Sequence, residues 1–92
     1  MAKISVSQPH NKDPDEVRAL AEEAARELAS RYKLQYRWQA DEELSFKGKG
    51  LSGSLRLEPG NVAVDMNTGL MLGPMAKVIR RELEKALADH LA

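Results

Sequence analysis

Gly73-Pro74-Met75-Ala76-Lys77-Val78-Ile79-Arg80-Arg81-Glu82-Leu83-Glu84-Lys85-Ala86-Leu87 is the stretch that decides the fold. After the Gly-Pro breaker, Met75, Ile79, Leu83, Ala86 and Leu87 recur at helical spacing on one face, while Lys77, Arg80, Arg81, Glu84 and Lys85 fall off it. The stretch reads as an amphipathic helix whose apolar stripe needs a partner. What precedes it is a run of alternating segments, and a lone helix after antiparallel strands buries its stripe on the concave face of their sheet.

Upstream, the alternation is regular. Leu34, Tyr36 and Trp38 alternate with Gln35, Arg37 and Gln39, and the acidic turn Asp41-Glu42-Glu43 leads to Leu44 and Phe46. Gly48-Lys49-Gly50 turns the chain again into Leu51, Gly53, Leu55 and Leu57 on one face, with Ser52, Ser54 and Arg56 on the other. Pro59-Gly60 supplies the two central residues of a type II turn, and Val62, Val64 and Met66 form the last strand. Before all of these come a short strand on Ile4 and Val6, ended by Pro9, and then a helix with an explicit start. Asp13 caps it, Pro14 loses nothing at the first helical position, and Glu16 completes a capping box. Val17, Leu20, Ala21, Ala24, Leu28 and Tyr32 form the apolar stripe of this helix. Glu22 to Arg26 and Glu27 to Arg31 are spaced for favourable ion pairs on its wet face. Lys33 follows, where glycine would most easily adopt the left-handed conformation.

The order is β-α-β-β-β-β-α, an α+β fold. Sequential hairpins give strands 2-3-4-5, and the first helix is long enough to return strand 1 to the edge of strand 5. The expected architecture is a five-stranded curved antiparallel sheet gripping the C-terminal helix, a small helix-grip arrangement spanning 1–92 as one domain, with the first helix on the same concave side. Gly50 and Gly53 suit the bends such curvature needs.

Composition excludes several function classes. At 92 residues the chain has one core and little apolar side chain to spare for a large pocket. Acidic and basic residues balance at 14 each, against the electrostatic footprint of a nucleic-acid binder. With no cysteine there are no disulfides, thiolate metal sites or thiol nucleophiles. Neither a secretory h-region nor a run near the roughly 20 apolar residues of a membrane span is present, so the expected location is cytoplasmic.

Several of these pieces occur together in a known family. Ile4-Ser5-Val6 with Pro9-His10, the Ala/Glu/Arg-rich helix ending Arg31-Tyr32, Leu34-Gln35-Tyr36-Arg37-Trp38, Leu44-Ser45-Phe46-Lys47, Gly50-Leu51-Ser52-Gly53 and Leu72-Gly73-Pro74 stand in the family's order and spacing. The chain thus resembles the polyhydroxyalkanoic acid system family, small bacterial proteins also described as polyhydroxyalkanoate granule regulators. It departs at Lys33, where the family's helix-ending Gly is expected, and at Asp41-Glu42-Glu43, more acidic than the usual turn. The resemblance implies an association with storage-polymer metabolism and carries no assigned catalytic residue.

Chemistry is sparse in the residues themselves. His10 could bind a metal or shuttle a proton, but no partner stands at ligand spacing, and a loop or capping histidine is the simpler reading. His90, in the last helical turn, complements the helix dipole. Gly48-Lys49-Gly50-Leu51-Ser52-Gly53-Ser54 lacks the order of a phosphate-binding loop and leads into a strand. Ser5, Ser52 and Ser54 lie on polar strand positions outside any nucleophile elbow. No enzyme, cofactor or metal site is expected.

Two hypotheses follow. In the first, a non-enzymatic accessory protein of polyhydroxyalkanoate metabolism uses Leu70, Met71 and Leu72, an aliphatic triplet between Gly69 and Gly73, to meet a granule, a granule protein or a second copy as a homodimer. Lys77, Arg80 and Arg81, placed where the helix dipole disfavours positive charge, would add an anionic partner. In the second, Tyr36, Trp38, Phe46, Leu55, Val64 and Met75 line a pocket for an acyl-like ligand carried between sheet and helix.

Overall fold

A computed structural model describes residues 2–91; of the expected 1–92 domain, Met1 and Ala92 lie outside the described residues. The elements are β1 (Ala2–Pro9), α1 (Pro14–Tyr32), β2 (Gln35–Ala40), β3 (Glu43–Gly48), β4 (Leu51–Glu58), β5 (Asn61–Thr68), a 3-10 turn (Gly73–Met75) and α2 (Ala76–Leu91). The five strands form one curved, open antiparallel sheet in the order β1-β5-β4-β3-β2, as the hairpin argument requires.

Turn chemistry sets the register. Asp41 and Glu42 join β2 to β3, with Glu43 already paired in β3. Lys49 and Gly50 join β3 to β4, and Pro59 and Gly60 join β4 to β5. Gly50 and Gly60 take positive φ (85° and 71°), which a two-residue turn demands and glycine accepts without a Cβ clash. One row of the sheet then runs Ile4, Met66, Gly53, Phe46, Tyr36, and the next Val6, Val64, Leu55, Leu44, Trp38. All ten positions belong to the inner face. The outer face carries Ser5, Asp65, Ser54, Ser45 and Arg37 in one row, and stays wet.

The inner face is covered by both helices. Ile79, Leu83, Ala86, Leu87 and Leu91 of α2 and Val17, Ala21, Ala24, Ala25 and Leu28 of α1 are buried in one cluster with Leu44, Phe46, Leu55, Val62, Val64 and Met66. The alanines of α1 let the two helices approach closely. Asp13 caps α1 as expected, its Oδ1 accepting from the Glu16 N–H at 2.9 Å. At the other end Lys33 takes the left-handed conformation (φ 55°, ψ 47°), and the Leu34 N–H closes the helix onto the Ala29 carbonyl at 2.8 Å.

Three local expectations change. The closing helix begins at Ala76, one residue late, because Gly73-Pro74-Met75 makes a 3-10 turn; Met75 thereby leaves the core face and is 45% exposed. Arg31 does not pair with Glu27 along α1. It reaches across to the Glu82 carboxylate on α2, while Glu23 and Glu27 flank His90 at 3.8 and 3.7 Å, so the wet-face charges of α1 instead clasp α2. Trp38 is half-buried on an edge strand, roofed by Arg18 of α1 with the guanidinium carbon 4.0 Å from the ring centroid, and its Nε1 donates to Glu22 at 2.6 Å.

Candidate functional site

Strand ends and helix ends gather at two poles. At one pole lie the start of β1, the end of α1, the Lys49-Gly50 turn, the connection 69–72 and the start of α2. The connection is tied down at its root: the Gly69 N–H donates to the Gly50 carbonyl at 2.8 Å, and Leu72 packs against Gly50. From there Leu70 and Met71 project into solvent, 82% and 91% exposed. Met75 and Val78 (45% and 40% exposed) extend the apolar surface onto the first turn of α2. These four are the exposed large apolar side chains among the described residues, and all lie at this pole. Clustering is what makes exposed apolar area informative, since singly scattered residues are ordinary.

The expected triplet is therefore split, with Leu72 as the anchor and Leu70 and Met71 as the tip. Lys77, Arg80 and Arg81 are exposed on α2 beside it; Arg80 shares its charge with Glu84 at 3.8 Å. Met75 joins the tip. Val78 joins it too; it falls off the stripe of Ile79, Leu83 and Leu87, and a single valine among the charged residues of the wet face carries no sequence signal of a contact.

The six residues of the pocket hypothesis do not come together around a space. Phe46, Leu55 and Val64 are sealed in the core against α2, Tyr36 and Trp38 are half-buried toward the edge, and Met75 stands outside. The two described concavities are at the poles, and none of the six lines either. The larger, about 710 Å³, is an open groove at the pole opposite the apolar tip, with Val17, Leu57, Pro14 and Pro59 against Asp15, Asp41, Glu42 and Glu58. His10 borders it. Its N–H donates to the Gly60 carbonyl at 2.9 Å and its Nδ1 accepts from the Lys12 N–H at 3.2 Å, which ties the 10–13 loop to the β4–β5 turn. Its Nε2 is buried without a hydrogen-bond partner among the described residues. Among those residues no three His, Cys, Asp or Glu side chains group to hold a metal.

Electrostatics elsewhere are structural. Asp65 on the outer sheet face accepts from Ser5 (2.7 Å) and Arg56 (2.6 Å), and these two partners hold its carboxyl below the usual range. Arg31 does the same to Glu82. Burial, with the Glu82 carboxylate nearby, pushes the Tyr32 phenol up to about 12, although its hydroxyl finds no well-formed hydrogen bond. None of these groups lies in a cleft with a nucleophile or a second acid to work with.

Compared with known families, residues 4–91 match the one described as "Putative polyhydroxyalkanoic acid system protein", and the chain belongs to that family. No curated protein matches it.

Proposed function

We propose that this member of the polyhydroxyalkanoic acid system family works as a non-enzymatic, cytoplasmic binding protein that attaches to the hydrophobic surface of polyhydroxyalkanoate granules through its apolar pole. One observation carries the reading: Leu70 and Met71 are 82% and 91% exposed on a connection whose root is fixed, with Met75 and Val78 continuing the surface. Side chains that a folding core leaves out at this density gain about 25 cal/mol per Å² only when something apolar covers them. The fixed root matters as well, because a tip that is already ordered loses less conformational entropy on contact. A polyester surface suits such a tip: it is broad, apolar and requires no shaped cavity in the protein. Family membership supports the association with the polymer system, and the geometry supports adhesion as the means.

Co-sedimentation with isolated granules tests this. The unmodified chain should pellet with granules, and the double variant Leu70→Ser/Met71→Ser should remain in the supernatant while keeping its denaturant midpoint. Equal pelleting of the two proteins would remove the reading. Capture of a granule protein, in place of the polymer, by the same tip would redirect it.

A further inference from the structure

The balanced charge of the chain hides a polar molecule. Because strand and helix ends converge, Lys3, Lys33, Lys47, Lys49, Lys77 and Arg81 lie at the same pole as the apolar tip, though they are scattered along the sequence. Lys3 and Lys47 lie in one cross-strand row through Asn67 and Ser52, Lys49 is at the turn that holds the connection, Lys33 ends α1, and Lys77 and Arg81 occupy the first two turns of α2. All six are exposed, and none is in an ion pair among the described residues. Of the carboxylates on this side of the molecule, Asp65, diagonal to Lys3 on the outer face, is engaged by Ser5 and Arg56, Glu82 by Arg31 and Glu84 by Arg80. At the opposite pole Asp15, Asp41, Glu42, Glu43 and Glu58 outnumber Lys12, Arg18 and Arg56.

We infer that the apolar pole docks on an anionic phospholipid surface, with Leu70, Met71, Met75 and Val78 entering the acyl boundary while the cations of this pole rest at the phosphate level. This rests on the apolar-pole reading above and assigns the same tip a second surface, a lipid one, besides the polyester. Apolar residues at a tip that shares its pole with lysines match the two layers of a lipid interface, where insertion and headgroup attraction add. Lys77 supports the assignment, since a cation in the first turn of a helix is disfavoured by the dipole and an external anion would offset that cost. The acidic pole points the molecule, because the same surface repels its other end. Docking here is peripheral: no helix of the described residues is long and apolar enough to cross a membrane.

The test is vesicle co-sedimentation with the full chain, using pure phosphatidylcholine and phosphatidylcholine mixed with phosphatidylglycerol. Binding should be confined to the anionic vesicles and should fall as salt is raised. Lys49→Gln/Lys77→Gln should weaken partitioning about 25-fold, from roughly five-fold per cation, and Leu70→Ser/Met71→Ser should abolish it. Both variants change exposed side chains, and unchanged circular dichroism would confirm that they fold. Equal binding to neutral and charged vesicles overturns the inference, as does insensitivity to the lysine changes. Pelleting with lipid-stripped polyester particles but with neither vesicle also overturns it and leaves the granule reading standing; failure on every surface removes both. A species that self-associates without lipid, disappears in Leu70→Ser/Met71→Ser and ignores vesicles would assign the pole to a second copy instead.

Discussion

Leu72 lies against Gly50 at the hairpin turn, so close that a Cβ on Gly50 would sit 3.4 Å from the Leu72 Cδ1. That contact turns an exposed connection into a fixed platform, and it separates the roles of three consecutive apolar residues. Leu72→Ala should lower stability by about 1–2 kcal/mol, because a half-buried contact is lost. Leu70→Ser/Met71→Ser should stay within about 0.5 kcal/mol of the parent, as surface changes usually do. Urea unfolding of the two variants side by side measures the split; equal losses would mean that the tip is part of the core.

Gly53 leaves room for the close approach of β5 to β4. It stands between Phe46 and Met66 in the same row, and a Cβ there would come within 2.7 Å of the Met66 Cα and collide with the Asp65 carbonyl. Gly53→Ala should destabilise by about 1–3 kcal/mol through overpacking. Leu83→Ala, at a position with 0% exposure, should cost about 2–5 kcal/mol through the cavity it leaves. Ser52→Ala, next door on the wet face, serves as the control and should be near neutral in the same denaturant series.

Lys33 holds a left-handed conformation that a side chain makes unfavourable. Lys33→Gly relieves this at the end of α1, offset in part by the greater freedom of glycine in the unfolded chain, and should raise stability by about 0.5–1 kcal/mol. Thermal unfolding at constant pH and salt would show the gain, and a loss would mean that the lysine stem packs usefully there.

Stability should fall at both ends of the pH scale for different reasons. Asp65, through Ser5 and Arg56, and Glu82, through Arg31, have carboxyls lowered in the folded state. Their contribution is complete above the unfolded carboxylate range and is lost as pH falls through the lowered folded values, so the melting temperature should drop below about pH 4. Arg56→Met should flatten that drop. Tyr32 behaves oppositely: its phenol, pushed up to about 12, favours folding below the unfolded tyrosine value and stops doing so as pH rises through 12. Ultraviolet titration of tyrosinate should show a step near 12 that Tyr32→Phe removes.

The strand order was legible because period-2 alternation and short turns leave little choice: Lys49-Gly50 and Pro59-Gly60 each permit only an antiparallel return. The cap at Asp13 and the stripe through Ile79, Leu83 and Leu87 were legible for the same reason, being local patterns with local causes. What stayed hidden depended on partners distant in sequence. Glu27 looked like the natural mate of Arg31 until Glu82 of α2 came alongside, and Leu72 could not be told from Leu70 before Gly50 was placed beneath it. The candidate site was half legible: its apolar tip is contiguous in sequence, but its set of cations joins Lys3 to Lys77 through the topology alone.

The central claim is that the Leu70–Met71 tip is what meets the granule, and the absence of cysteine makes it directly measurable. Met71→Cys, labelled with an environment-sensitive fluorophore, should report a blue shift and loss of quenching by aqueous iodide when purified granules are added. The same label on Asp41→Cys, at the opposite pole, should report neither. A shift at position 41 with none at 71, under conditions where the protein pellets with granules, would contradict the account.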